Sequence, residues 1–234
     1  MGGDEMTAYD AIIFDLYGTL VGEWMGSVWD DNLAEQAKIL GIPSDDFRRV
    51  WHETALDRQL GKIQLEPNMR LVAASLGLEI PDAAIAEALA LRHAMYAEYF
   101  VPCEGAEETL AELKRRGYPL ALISMCAPDT PLFWHASSLA PHVDVLVFSS
   151  ESGMRKPHAE IYLKATGELG VEPSKCLYVG DGAYGELTGA AAVGMKAVLI
   201  RYSNEPDDSV LRPEPEENWP GKRISSIPEV LELL

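Results

Sequence analysis

The chain reads as an α/β protein: a Rossmann-like parallel sheet with helices on both faces, carrying an inserted all-helical domain. Three observations predict this. Beyond residue 100, short apolar runs (YPLALIS at 118–124, VDVLVFSS at 143–150, CLYVG at 176–180, KAVLI at 196–200) alternate with segments of helical periodicity. Strands buried on both faces of a parallel sheet are written in that way. A fifth such run, AIIF at 11–14, stands far upstream, and nothing between residues 22 and 100 reads as a strand.

Taken in order, AIIF delivers Asp15, with Tyr17, Gly18 and Thr19 close behind. In WDDNLAEQAKILG, residues Trp29, Leu33, Ala37 and Leu40 share one helical stripe that stops at Gly41. PSDDFRRVWHETALDRQLG is expected as one helix, with Ser44 as its cap, acids in its first turn and Gly61 as its stop. PDAAIAEALALRHAMYAEYF is a third helix. EGAEETLAELKRRG begins with Glu, ends with Lys and Arg, and places Ala106, Leu110 and Leu113 on one side. Further helices are expected after the second strand, in KPHAEIYLKATGELG and in ELTGAAAVG. Residues 203–222 form a Pro/Glu-rich loop, and IPEVLELL closes the chain as a short helix. The first strand belongs with those after residue 118. The chain therefore divides into a core, 1–21 plus 102–234, and a helical cap, 22–101, set as a lid over the carboxyl ends of the strands.

The charge balance, 37 acidic against 19 basic residues and a net of −18, argues against a nucleic-acid partner, which would require a basic patch. Cys103, Cys126 and Cys176 are odd in number and widely spaced, which suits a reducing compartment. The first ten residues lack a basic region leading into an apolar run, and no stretch reaches membrane-spanning length. A cytoplasmic protein with no membrane partner is expected; oligomeric state has no readable signature.

Four polar residues stand at or just after strand ends: Asp15, Ser124, Lys156 in GMRKP, and Asp181 in VGDG. Singly, such a serine caps a helix, such a lysine is solvated, and Gly-Asp-Gly makes a turn. Together, in α/β order, they resist that explanation. The set resembles the haloacid dehalogenase superfamily of hydrolases, most of which are phosphatases. Its first motif, Asp-x-Asp-x-Thr, is matched by DLYGT except at position 17. Ser124 matches the second, Lys156 before a proline the third, and GDGAYGE, with Asp181 and Glu186, the fourth. The insertion resembles the family's smaller cap type.

The resemblance implies that Asp15 attacks phosphorus and forms an aspartyl-phosphate, with Thr19 orienting it. A carboxylate approaching a phosphate dianion meets like charge, so a cation and a lysine must neutralise it. Mg²⁺, which prefers oxygen ligands, would be held by Asp15, Asp181 and the carbonyl of Tyr17. Lys156, Ser124 and the loop at Gly18 would bind the phosphoryl group of a small phosphorylated substrate, with Met125 and Trp24 beside it. Glu186 would fix Lys156 or a metal-bound water.

Tyr17 departs from the pattern. Phosphatases of this family place there an Asp that protonates the leaving alkoxide and then activates water. That function is worth ~10²–10⁴-fold, and a phenol of pKa about 10 is a poor base at neutrality. Three readings follow: a phosphohydrolase favouring good leaving groups, a metal-free 2-haloacid dehalogenase acting on a halogenated acid, or a degenerate phosphate-binding protein. The dehalogenase branch carries Ser-Asn in its second motif and replaces the metal-binding acid. Ser124-Met125 and Asp181 therefore favour the Mg²⁺-dependent phosphohydrolase. Among weaker signals, Arg48, Arg49, Arg58, Arg70 and Arg92 read as solvated cap residues that could bind a substrate carboxylate or second phosphate. Trp51 and Cys126 read as core.

Overall fold

The computed structural model describes residues 9–22, 26–203 and 212–234. Six parallel strands, β1 (Ala11–Phe14), β2 (Leu120–Ser124), β3 (Val145–Phe148), β4 (Cys176–Gly180), β5 (Lys196–Ile200) and β6 (Lys222–Ile224), make one sheet in the order 3-2-1-4-5-6. The chain winds outward from β1 to β3, then returns to lay β4 on the other side of β1. Connections diverge at that switch, leaving a crevice beyond the carboxyl ends of β1 and β4.

Period-two alternation explains the apolar runs. Ile12, Phe14, Leu120, Leu122, Leu177 and Val179 face one layer, closed by Leu110, Leu113, Trp134 and Val230. Ala11, Ile13, Ala121, Ile123 and Tyr178 face the other, closed by Ile161, Tyr162, Ala165, Leu187 and Ala190. The covering helices are α6 (Ala106–Arg115), α7 (Thr130–Ala136), the single turn α8 (Ser149–Ser152), α9 (Ala159–Leu169) and α10 (Glu186–Ala192), numbered after the five that precede them. IPEVLELL closes as a 3-10 turn, Ile227–Glu232.

Among the described residues, five helices precede residue 100: α1 (Gly26–Leu40), α2 (Ser44–Glu53), α3 (Ala55–Gln59), α4 (Leu65–Ser75) and α5 (Asp82–Tyr99). They share an apolar cluster of their own, including Leu33, Phe47, Trp51, Met69, Val72 and Ile85. The expected helix over 43–61 is two. Thr54 Oγ1 turns back onto the carbonyls of Val50 and Trp51, at 3.0 and 3.2 Å, and the chain re-aims there. Ser44 is the first helical residue, not the cap; Pro43 holds the cap position and forms no side-chain cap bond. The expected loop over 203–222 also ends in structure, because Lys222–Ile224 pairs with the free edge of β5. Three residues are too few to display an alternation.

Polar and close backbone contacts help seat the helical segment on the core, beside Met95, Tyr96 and Phe100, which join the sheet's apolar cluster. Gly61 lies so close that an added Cβ would stand 2.0 Å from the Ser150 carbonyl oxygen. Gln59 Nε2 donates to the Tyr184 hydroxyl at 2.8 Å. Arg92, on α5, meets Asp129 before α7: Nε lies 2.6 Å from Oδ2 and Nη2 3.1 Å from Oδ1, both side chains buried. Among the described residues, no helix is long and apolar enough to cross a membrane.

Candidate active site

Asp15 is the first residue past β1, and its amide still donates to the Val179 carbonyl at 2.9 Å, so the β1–β4 ladder fixes where its side chain starts. Lys156 arrives from the β3–α9 connection. Its ammonium lies 2.5 Å from Asp15 Oδ1 and 2.5 Å from Glu186 Oε2, fully buried. Glu186 opens α10; its Oε1 accepts from the Gly182 amide at 2.8 Å and its Oε2 from the Tyr178 hydroxyl at 2.6 Å. Gly180 makes room for it, since a Cβ there would stand 2.2 Å from Glu186 Oε1. Asp15, Asp181 and Glu186 each present an oxygen within 4.8 Å of the others.

Three buried carboxylates, the Lys156 ammonium and the Arg212 guanidinium on Asp181 set the electrostatics. Burial pushes the Asp15 carboxyl up to about 6, against the pull of Lys156 and with a push from Asp181. Burial, and then Asp15, raise Glu186 to about 8. Burial opposes the Lys156 charge, but Asp15 and Glu186 outweigh it and lift its pKa above the ordinary value. The lysine therefore stays charged.

The remaining expected residues fall as follows. Thr19 Oγ1 reaches Asp15 Oδ2 at 3.4 Å. The Ser124 hydroxyl, at the end of β2, is buried and makes no hydrogen bond among the described residues. The Gly18 amide donates to the Val21 carbonyl at 2.8 Å, which occupies it within its own turn. Asp181 Oδ1 accepts from the Ala183 amide at 3.0 Å, and Oδ2 from Arg212 Nε at 2.7 Å. Trp24 lies outside the described residues.

A cavity of ≈ 310 Å³ opens between core and helices, with Asp15, Tyr17, Met125 and Asp181 on its core side. Trp29, Trp51, Arg58, Arg92 and Tyr96 face it from the helices. Ser124, Lys156, Gly18, Thr19 and Glu186 do not line it. The hydroxyl of Tyr17 pairs with Thr130 Oγ1 at 3.1 Å, and its ring stands edge-on to Phe100. Burial holds the phenol well above its usual pKa of 10, so it takes no proton near neutrality.

The arginines separate. Arg49 and Arg70 make surface pairs, with Asp46 and Glu53 and with Glu66 and Asp82; Arg48 lies 3.6 Å from Asp30. Arg58 and Arg92 are buried at the cavity. Trp51 is core, stacked on Phe47, yet also shows a face to the cavity. The sequence reading missed Asp129, Tyr184 and Arg212. Asp129 before Thr-Pro signals only a helix start, which it also is. Arg212 sits in a Pro/Glu-rich stretch with no periodicity.

This geometry has parallels. The chain is 28% identical, over 98% of its length and 94% of theirs, to a glyceraldehyde 3-phosphate phosphatase of Pyrococcus furiosus. A haloacid dehalogenase superfamily phosphatase from Thermococcus onnurineus shares the fold at a TM-score of 0.63 and 20% identity, covering 96% of this chain and 97% of that one. The L-2-haloacid dehalogenase of Xanthobacter autotrophicus, with chloropropionic acid covalently bound, does so at 0.61 and 19%, over 96% and 98%. The family profile of the haloacid dehalogenase-like hydrolases matches residues 9–194, and to that hydrolase family the chain belongs.

Proposed function

We propose that this hydrolase is a Mg²⁺-dependent phosphohydrolase of small phosphorylated metabolites, working through an aspartyl-phosphate on Asp15. The observation that carries the reading is the second carboxylate, Asp181, held beside Asp15 at the cavity floor, with Lys156 on Asp15 and Arg212 on the outer oxygen of Asp181. Displacing halide calls for no such second acid. All-oxygen donors suit Mg²⁺: Asp15, Asp181 and the Tyr17 carbonyl would hold it. When bound, it supplies charge neutralisation at the phosphoryl oxygens.

The chain's own groups do the rest. Lys156, in contact with Asp15, supports its ionised form, and on this reading it meets a phosphoryl oxygen at the attacked phosphorus. The unpartnered Ser124 hydroxyl is a ready donor for another. Asp15 opens the P–O ester bond by in-line attack, the leaving group departs with the bonding pair, and water then cleaves the acyl phosphate. Glu186, saturated by three donors, anchors Lys156. Tyr17, buried and paired with Thr130, is a far weaker acid than the carboxylic acid it replaces, so esters of acidic leaving groups are favoured. That same residue sustains the second reading, a 2-haloacid dehalogenase, because halide leaves without a proton.

Phosphate release from an aryl phosphate and chloride release from 2-chloropropionate, each with Mg²⁺ and with chelator, separate the two. Metal-stimulated phosphate release is expected; metal-indifferent chloride release overturns the reading. Tyr17→Asp is expected to speed alkyl phosphate hydrolysis by about 10²-fold, the lower end of what a general acid contributes, and to leave aryl phosphates nearly unmoved. Parallel acceleration of both, measured as kcat, would mean that Tyr17 obstructs rather than lacks a proton.

A further inference from the structure

Among the described residues, the charged side chains that line the cavity are paired, Arg58 excepted. Asp15 faces Lys156, Asp181 faces Arg212, and Arg92 faces Asp129. Among the described residues, Arg58 has no acid in contact. Its Nη1 donates to the Trp51 carbonyl, Thr54 Oγ1 and Asn68 Oδ1, each at 2.7 Å and each neutral. Its guanidinium lies 3.8 Å over the Trp51 ring, and the side chain is only 5% exposed. Among the described residues, Nε and Nη2 make no hydrogen bond. A buried charge without a counter-ion is costly. Burial, and then the nearby Arg92 charge, push the Arg58 pKa down to about 9, which is how that cost registers. A second open donor stands close by, because Arg92 Nη1 is buried and unpartnered.

We propose that Arg58 receives a carboxylate borne by the substrate, so that the enzyme's substrates are phosphate esters of carboxylic acids. This rests on the phosphohydrolase reading above. One unmatched positive charge calls for one negative charge, which a carboxylate carries and a second phosphate dianion exceeds. The planar fork of the guanidinium, held at Nη1 and lying over an indole, leaves the Nε–Nη2 edge for two carboxylate oxygens. Trp29, Trp51 and Tyr96 supply apolar wall for the body between the acid and the ester.

The test compares 4-carboxyphenyl phosphate with 4-carbamoylphenyl phosphate, near-isosteric esters that differ by one charge. In the Mg²⁺-loaded wild type the acid is expected to win in kcat/KM by about 10–100-fold, the range of a hydrogen bond to a charged group. Binding of both esters to Asp15→Asn protein, followed by calorimetry, is expected to show the same preference without chemistry. In Arg58→Gln the ratio falls towards one, and Arg58→Lys, which keeps the charge but not the fork, restores part of it. Equal affinity of wild type or Asp15→Asn protein for acid and amide overturns the carboxylate site, and that comparison needs no Arg58 variant to fold. Phosphate release from neither ester, with the acid still bound more tightly, sinks the phosphohydrolase reading and leaves the site standing.

Discussion

Asp15→Asn is expected to lower phosphate release by on the order of 10⁴-fold or more, as loss of a nucleophile does, and yet to melt no earlier than the parent. The first half follows from chemistry: an amide does not attack phosphorus. The second follows from the electrostatics of the site. Burial lifts the Asp15 carboxyl to about 6, above its unfolded value near 4. Between those values the folded state binds the extra proton, so stability falls as pH rises through that window. At pH 7 the ionised side chain is a net cost to the fold. Asn removes it, and Lys156 keeps Glu186 as a partner at 2.5 Å. Thermal melts of both proteins at pH 7 with chelator check the point. A Tm several degrees below the parent's would mean that the Asp15–Lys156 pair supports the fold rather than strains it, whatever the activity shows. Active sites commonly trade stability for reactivity in this way.

Arg92→Met is expected to be the most damaging single change to stability, at about 3–5 kcal/mol, the range found when one partner of a buried pair is removed. Both members are almost fully buried, the pair is bidentate, and Arg92 Nη2 also donates to the Tyr96 hydroxyl at 2.9 Å. Truncation leaves Asp129 buried under α5 without its bidentate guanidinium, with His93 Nε2 4.0 Å from Oδ2. Adding Asp129→Asn relieves that, so the double variant recovers part of the loss. Non-additivity in urea midpoints at constant m identifies the pair as coupled. A loss below about 1 kcal/mol, or strict additivity, would mean that packing alone seats α5. Because the pair joins the helical insertion to the core, activity is expected to fall with stability.

Much of the site could be read from residue order. The strands of a parallel sheet are apolar on both faces, so β1, β2 and β4 announced themselves, and with them the positions of Asp15, Ser124 and Asp181 at their ends. The run without strands showed where a helical segment is inserted. Lys156 and Glu186 were named by motif, and they meet at 2.5 Å although 30 positions separate them.

Other features lay beyond the sequence for one physical reason. Periodicity tells which face of an element is apolar, but not what that face meets once the chain has folded. Arg48, Arg49, Arg58, Arg70 and Arg92 look alike in sequence; the break at Thr54 and the seating of α5 on Asp129 bury two of them and leave Arg49 and Arg70 in surface pairs. β6 exists because β5 has a free edge to pair with. Arg212 reaches Asp181 across 31 positions with no local signal. The sequence by itself determined the sheet and the residues at its strand ends. Tertiary contact alone decided which charges became buried, and with which partner, because burial belongs to a place in the folded chain rather than to a residue.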